Sequence, residues 1–184
     1  MEKTLKQYDS IIAQCKDIFS KKMKDYGMAW RVLRPSSITD QLYIKAKRIS
    51  TIEETGTSRV NEGVVPEYIA IVNYCVMGLV QLDLGPSDSN EDSEEQVLDW
   101  YQQHLHTART LMIDKNSDYG EAWREMRVSS ITDLILMKIH RTKQIEDNKG
   151  ATLISEGIDA NYHDMINYAI FAMIQLEEMG ETIK

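Results

Sequence analysis

Hydrophobic and polar positions along the chain fall into six stretches with helical spacing. Four of these stretches repeat apolar side chains at intervals of three and four residues, and they cover residues 3–24, 37–53, 94–115 and 130–146. Two further stretches, beginning at Pro66 and Asp159, are apolar on nearly every face, which is typical of helices at the centre of a protein. No stretch combines alternating β-branched residues with hairpin turns. The pattern therefore predicts an all-α protein of six main helices.

The six stretches are two copies of one three-helix unit. Residues 22–53 align with residues 115–146 without a gap, and 17 of the 32 aligned positions are identical. After a one-residue shift, Glu62 aligns with Glu156 and Asn73 with Asn167. Agreement at this level indicates an internal duplication.

The duplication sets the predicted domain organisation. The stretch that separates the copies is rich in Pro, Ser, Asp and Asn, as linkers are. We assign residues 1–85 to a first repeat, 86–93 to the linker and 94–184 to a second repeat. Each copy is short for an independent domain, so we expect the two repeats to share one core with pseudo-two-fold symmetry.

Local signals predict the helix ends. Gly27 and Gly120 follow the first helix of each copy, where glycine commonly ends a helix. Ser37 and Ser130 begin a Ser-x-x-Asp pattern that resembles a capping box and predicts the start of the second helix.

Composition limits the classes of partner. A formal net charge of −8 disfavours duplex nucleic acid but leaves a small phosphate ligand open, because local cations can reverse the field at one site. Two cysteines without zinc-like spacing favour free thiols in a reducing compartment. We find no apolar signal core near the N-terminus and no run of about 18 apolar residues. A cytoplasmic protein without a membrane partner is expected.

The segment Asp-Tyr-Gly-x-Ala-Trp-Arg is the most distinctive part of the repeat. In the second copy it contains Tyr119, Trp123 and Arg124. Its aromatic residues can anchor the turn to the core, or they can stack on a base beside an arginine that contacts phosphate. Recurrence in both copies does not distinguish the two interpretations.

Cations and acids on the second and third helices form the other candidate set. Lys138 and Arg141 lie three residues apart on one helical face, where both can bind one anion. Asp164, in an apolar helix, must pair with a cation, bind a metal or lie at a pocket. A buried ion pair with Lys138 or Arg141 is the structural alternative. Asn167 lies on the same helix, three residues on.

Glu156, Asp159 and Asp164 offer oxygen ligands of the kind that Mg²⁺ prefers. The first copy has Ala70 in place of Asp164, so the site belongs to the second copy alone or draws on both. His163-Asp164 also invites comparison with phosphohydrolases that bind metal through a His-Asp doublet, although a dipeptide is a weak motif.

Taken together, the Lys-x-x-Asp-Tyr-Gly-x-Ala-Trp-Arg, Ser-Ile-Thr-Asp, Lys-x-x-Arg and Asn-Tyr segments resemble the bacterial and phage family called nucleotide modification associated domain 1. The likeness covers nearly the whole chain as two tandem copies. It implies a role near the modification of nucleotides or DNA bases.

The helix that carries Glu156, Asp164, Asn167 and Tyr168 is also distantly similar to the second acidic helix of MazG-type all-α NTP pyrophosphohydrolases. In those enzymes acids on two helices hold Mg²⁺. Here Lys138 and Arg141 occupy the comparable first acidic helix, a departure from that pattern.

These observations predict a nucleotide-binding protein that hydrolyses a (modified) nucleoside triphosphate with Mg²⁺. In that hypothesis Lys138 and Arg141 hold phosphate, while Tyr119 and Trp123 line the base pocket with Asn167 nearby. Glu156, Asp159 and Asp164 hold the metal, and Asp164 and Glu156 are catalytic. The alternative is a non-catalytic helical adaptor or nucleotide sensor, in which the repeated motifs build the fold and the surface of a homodimer.

Overall fold

A computed structural model describes residues 1–57, 63–89 and 91–181 of the chain. The described residues form six α-helices and no strand: α1 (Glu2–Tyr26), α2 (Pro35–Thr55), α3 (Val65–Leu84), α4 (Glu94–Tyr119), α5 (Val128–Asp147) and α6 (Ile158–Glu178). Short 3₁₀ helices at Ala29–Val32 and Ala122–Glu125 follow α1 and α4. The all-α prediction of two three-helix repeats is confirmed. Glu62, which aligns with Glu156, lies outside the described residues.

A single hydrophobic core contains residues of both repeats. Helices α3 and α6 pack against each other at its centre, α2 and α5 lie beside them, and α1 and α4 close the remaining side. Both central helices are buried on most faces, as their apolar sequences predict. Helix α3 is long and apolar enough to cross a membrane, contrary to our reading of the sequence, but most of it is buried against the other helices.

Hydrogen bonds between buried and half-buried side chains join the two repeats in symmetric pairs. Thr39 of α2 donates to Glu146 of α5 at 2.6 Å, and its hydroxyl lies 2.8 Å from that of Tyr162 on α6. The same three positions meet with the repeats exchanged: Thr132 with Glu53 at 2.6 Å and with Tyr68 at 2.7 Å.

A second symmetric pair lies between the outer and central helices. The Tyr8 hydroxyl donates to Asn167 Oδ1 at 2.6 Å, and the Tyr101 hydroxyl donates to Asn73 Oδ1 at 2.7 Å. These tyrosines occupy equivalent positions of α1 and α4, and each contacts the other repeat's central helix. The contacts therefore follow the pseudo-two-fold relation that the duplication predicts.

Glycines end the first helices as predicted. The N–H of Gly27 donates to the Met23 carbonyl at 2.8 Å, and that of Gly120 to the Asn116 carbonyl at 2.9 Å. Both glycines have positive φ, at 67° and 61°, a region where a side chain is disfavoured. Both helices run a little beyond the predicted ends, to Tyr26 and Tyr119.

The predicted capping boxes are wrong. Helices α2 and α5 begin at Pro35 and Val128, two residues before the serines, and neither start has a side-chain cap. Pro35 suits the first position of a helix because its φ is preset and it has no N–H to satisfy. Asp40, the expected capping acid, instead pairs with Lys143 of the other repeat at 3.1 Å.

Candidate functional site

Asp164 of α6 accepts two charge-assisted hydrogen bonds in the second repeat. Lys115, near the end of α4, lies 2.6 Å from Oδ1, and Lys138 of α5 lies 2.7 Å from Oδ2. The carboxylate and the Lys138 side chain are nearly buried, at 10% and 12% exposure, whereas the Lys115 side chain is half exposed. Three helices therefore meet at one acid.

The lysines determine the charge state of this cluster. Burial alone would raise the pKa of Asp164, but the hydrogen bonds from Lys115 and Lys138 outweigh it and hold that pKa below its usual value. Burial lowers the pKa of Lys115, and the hydrogen bond to Asp164 more than compensates, so this pKa is raised. Asp164 is thus an ionised acid between two ammonium groups, and the cluster has a net positive charge.

A cleft of about 920 Å³ lies beside this cluster, between the second half of α5, the start of α6 and the loop that joins them. Lys138 and Asn161 line it near Asp164, and Arg141 and Glu156 line it further out. Its other lining residues are Gln144, Ile145, Asn148, Ala151, Thr152, Leu153, Ile154 and Ser155. Cationic, anionic, amide and apolar groups therefore face one space in the size range of small-molecule sites.

The first repeat arranges the equivalent cations differently. Lys45 and Arg48 correspond to Lys138 and Arg141, and both contact the buried carboxylate of Glu67, at 3.4 and 2.7 Å. Glu67 aligns with Asn161, so the second repeat has a neutral amide where the first has an acid. One acid thus contacts both cations of the first pair, whereas in the second pair Asp164 contacts Lys138 and no described carboxylate lies within salt-bridge distance of Arg141.

The predicted site residues divide into two groups. Lys138, Arg141 and Glu156 line the cleft, and Lys138 donates a hydrogen bond to Asp164. Tyr119 and Trp123 do not line it, although the sequence predicted them for the base pocket. Tyr119 is exposed at the end of α4.

Trp123 packs in the interior in place of its predicted contact with a base. Its ring lies parallel to Phe171 of α6, with 4.2 Å between ring centroids. The Arg124 guanidinium lies 4.4 Å from the ring centroid and donates to Thr4 and Gln7 of α1. The same motif in the first repeat places Arg31 on Asp92 and Gln81. The Trp-Arg pair thus anchors each 3₁₀ turn.

Asn167 is also structural. Its Oδ1 accepts from Tyr8, and its Nδ2 donates to the carbonyl of Ala108 in α4 at 3.1 Å. Both ends of the amide are hydrogen-bonded within the core, in place of the predicted contact with a ligand.

The three predicted metal ligands are not brought into one group. Asp164 contacts two lysines, while Glu156 and Asp159 are exposed at the start of α6. Among described residues, no three His, Cys, Asp or Glu side chains lie together in a way that could hold a metal ion. A divalent cation would have to displace two ammonium groups from Asp164, so these residues do not fit Mg²⁺ in the predicted arrangement.

His163, the other half of the His-Asp doublet, is buried and faces α4. Its ring lies 6.3 Å from that of His104, and its Nε2 has no hydrogen-bond partner among the described residues. Burial and the nearby His104 lower the pKa of His163. The doublet therefore separates into an acid on the lysines and a histidine turned toward α4.

Sequence reasoning missed Lys115 as a partner of Asp164. One signal was present, because a lysine occupies this position, Lys22 and Lys115, in both copies. Spacing alone could not show that Lys115 pairs with Asp164, since the two residues lie 49 positions apart.

Comparisons with known proteins leave one finding. No curated protein and no solved structure matches the chain. The family model described as nucleotide modification associated domain 1 matches twice, over residues 22–82 and 115–176. The two matches follow the repeats and cover well over half of the chain, and the second match includes every residue given above as lining the cleft. The chain therefore belongs to the nucleotide modification associated domain 1 family, as two tandem copies.

Proposed function

We propose that the protein binds a nucleotide in the cleft of the second repeat. Lys138 and Arg141 hold the phosphates, and Ile145, Leu153 and Ile154 offer an apolar surface to the base. The family's description as nucleotide modification associated is consistent with such a ligand. Local cations of this kind can hold an anion although the whole chain carries a net charge of −8.

The observation that carries this proposal is the exchange of Glu67 for Asn161. In the first repeat the buried carboxylate of Glu67 contacts both cations of the Lys-Arg pair. In the second repeat Asp164 contacts Lys138, and Arg141, exposed on the cleft wall, has no carboxylate within salt-bridge distance among the described residues. An anionic ligand would complete the second repeat as Glu67 completes the first, because a guanidinium binds phosphate through several parallel N–H groups.

Hydrolysis of a nucleoside triphosphate, and with it the distant relation to MazG-type pyrophosphohydrolases, stays a prediction. The net positive cluster at Asp164 favours phosphate over a divalent cation, so we derive no catalytic step through Mg²⁺. Binding of nucleotide for sensing or delivery fits this arrangement better than turnover.

Thermal unfolding with a panel of ribo- and deoxynucleoside triphosphates, in EDTA and in Mg²⁺, tests the proposal. A ligand at 100 times its dissociation constant stabilises the folded state by about 2.7 kcal/mol. We expect stabilisation of the wild type, and its loss in Arg141→Gln and in Asn161→Glu. The second variant installs the acid that the first repeat already accommodates, so it should fold.

Arg48→Gln is the matched control, because it removes the equivalent charge from the first repeat. It should retain nucleotide binding. If no nucleotide stabilises the wild type, or if both cleft variants bind as well as the wild type, the proposal fails and a non-catalytic adaptor is favoured. Release of pyrophosphate in the Mg²⁺ samples would support the hydrolase instead of a sensor.

A further inference from the structure

A second cavity, of about 300 Å³, opens between α1, α2 and α3 of the first repeat. Apolar and aromatic side chains form most of it, including Phe19, Met23, Trp30, Ile69 and Met77. Lys22 and Lys45 line it as well. It is separate from the nucleotide cleft, which lies in the second repeat, and its volume is at the lower end of those that bind small molecules.

The second repeat has a phenylalanine and an aspartate, Phe171 and Asp164, where the wall of this cavity has Met77 and Ala70. Phe171 occupies the position of Met77, and its ring stacks on Trp123, the counterpart of Trp30, with an angle of 4° between the ring planes. A flat ring on the indole is therefore an arrangement that this helical unit already accommodates.

The second repeat also has a carboxylate where the first has an alanine. Asp164 occupies the position of Ala70 and bridges Lys115 and Lys138, at 2.6 and 2.7 Å. Their counterparts, Lys22 and Lys45, line the open cavity beside Ala70. Lys45 reaches only Glu67, at 3.4 Å, and no described carboxylate lies within salt-bridge distance of Lys22.

We infer that the cavity of the first repeat binds a small aromatic anion. The ligand's ring stacks on Trp30 beside Met77, much as Phe171 stacks on Trp123 in the other repeat, and its carboxylate lies between Lys22 and Lys45 in the place that Asp164 takes. Phe171 and Asp164 thus serve as an internal template for the ligand. Both features are required together, because the ring displaces water from an apolar wall and the charge satisfies two cations.

Ligand-detected NMR and tryptophan fluorescence with four probes test this inference. Phenylacetate and benzoate carry both features, benzyl alcohol carries the ring alone, and acetate carries the charge alone. We expect the two aromatic carboxylates to bind at least about tenfold more tightly than either partial probe, the size of one charge-assisted hydrogen bond. Equal binding of benzyl alcohol and phenylacetate, or no binding of either carboxylate, would overturn the inference.

The double variant Ala70→Asp with Met77→Phe rebuilds the filling of the second repeat and should abolish binding of the carboxylates. The matched control, Ala13→Asp with Met179→Phe, makes the same changes at exposed positions outside the cavity and should bind as the wild type does. Should the filled variant fail to fold, Lys22→Gln provides the test: about tenfold weaker phenylacetate binding with unchanged benzyl alcohol binding. Unaltered phenylacetate binding in either folded variant contradicts the inference. Neither result bears on the nucleotide cleft.

Discussion

Asp164 and Glu67 are buried acids at different positions of equivalent helices, and each contacts two cations. Asp164 joins α6 to α4 and α5, whereas Glu67 joins α3 to α2 alone. Moving the acid by one helical turn therefore changes which cations are neutralised and where space is left. Exchanges at two aligned positions, Glu67 with Asn161 and Ala70 with Asp164, thus give the described parts of the two repeats different ion pairs.

Asp164→Ala tests how strongly the folded state depends on this acid. Removing one partner of a buried ion pair leaves the other charge without compensation, and we expect a loss of about 3 kcal/mol in the free energy of unfolding. Urea unfolding measures it. Adding Lys138→Met should recover part of the loss, since the buried charge is then removed as well. A loss below about 1 kcal/mol would show that Lys138 reaches water.

The carboxyls of Glu53 and Glu146 make the stability of the protein depend on pH. Burial raises the pKa of both carboxyls, against hydrogen bonds from Thr132 and Thr39 that lower it. The folded state therefore holds these protons more tightly than the unfolded state. Their contribution to stability declines as pH rises from about 4.3, the ordinary glutamate value, through the raised pKa of the folded state.

Replacing both acids by glutamine should remove that decline. The amide oxygens can still accept from the threonines, so the variant should equal the wild type near pH 4 and exceed its melting temperature increasingly toward pH 7. Melting curves across this range measure the difference. Glu91→Gln, in an exposed part of the linker, is the control. A difference between variant and wild type that does not change with pH contradicts the assignment.

At the scale of helices, the two repeats approach closely at Gly78 of α3. A Cβ atom there would lie 2.8 Å from Cε2 of Tyr162, which is fully buried. The Tyr162 hydroxyl contacts Thr39, so the ring is held from both sides. Glycine at this point lets the two central helices pack together.

Gly78→Ala should therefore destabilise the protein by about 1 kcal/mol. Alanine favours the helix by about 1 kcal/mol, but overpacking of a core costs typically 1–3 kcal/mol, and the tyrosine has little room to move. Chemical denaturation measures the net change in the free energy of unfolding. A gain in stability would mean that the ring shifts without loss of its hydrogen bond.

Helix existence and most helix ends could be predicted because their causes are local. Gly27 and Gly120 end helices through their own backbone freedom, and apolar periodicity marks the buried face. Ser37 and Ser130 wrongly indicated where the second helix of each repeat begins. In one copy the helix already starts at a proline, Pro35. Thr39, two residues after Ser37, forms a hydrogen bond between the repeats, to Glu146, which lies 107 residues further along the chain.

The whole molecule depends on contacts between the repeats. Thr39, Thr132, Tyr8 and Tyr101 each bond to a residue of the other copy, and an isolated repeat would leave these groups and its apolar central helix without partners. Buried polar groups that lose their partners are costly. Each repeat nevertheless contains both halves of every such pair.

Fragments 1–85 and 86–184 test this reasoning. Each fragment alone should fold only as a dimer, with a melting temperature that rises with concentration, because a second identical copy supplies the missing partners. Mixing the two should restore the native pairing. Sedimentation and circular dichroism measure association and helix content. A fragment that unfolds cooperatively as a monomer contradicts the shared core.

The candidate sites were only partly predictable for the same reason. Lys138, Arg141 and Asp164 could be predicted because charges in apolar helices need partners, and the structure pairs Lys138 with Asp164 and places Arg141 on the wall of the cleft. Trp123 and Asn167 were assigned to the ligand because sequence cannot distinguish a stacked indole in the core from one at a pocket. Alignment of the copies shows Ala70 in place of Asp164, but the cavity beside Ala70 depends on how α1, α2 and α3 pack, which the sequence does not give.

Covalent joining of the two copies has an evolutionary consequence. In an assembly of separate, identical subunits every substitution is inherited at both symmetric positions, so a change that empties one pocket empties its mate. A fused pair escapes that constraint. Ala70 and Asp164, or Glu67 and Asn161, can then diverge within one gene, and a single polypeptide can keep two different ligand sites on one ancestral framework.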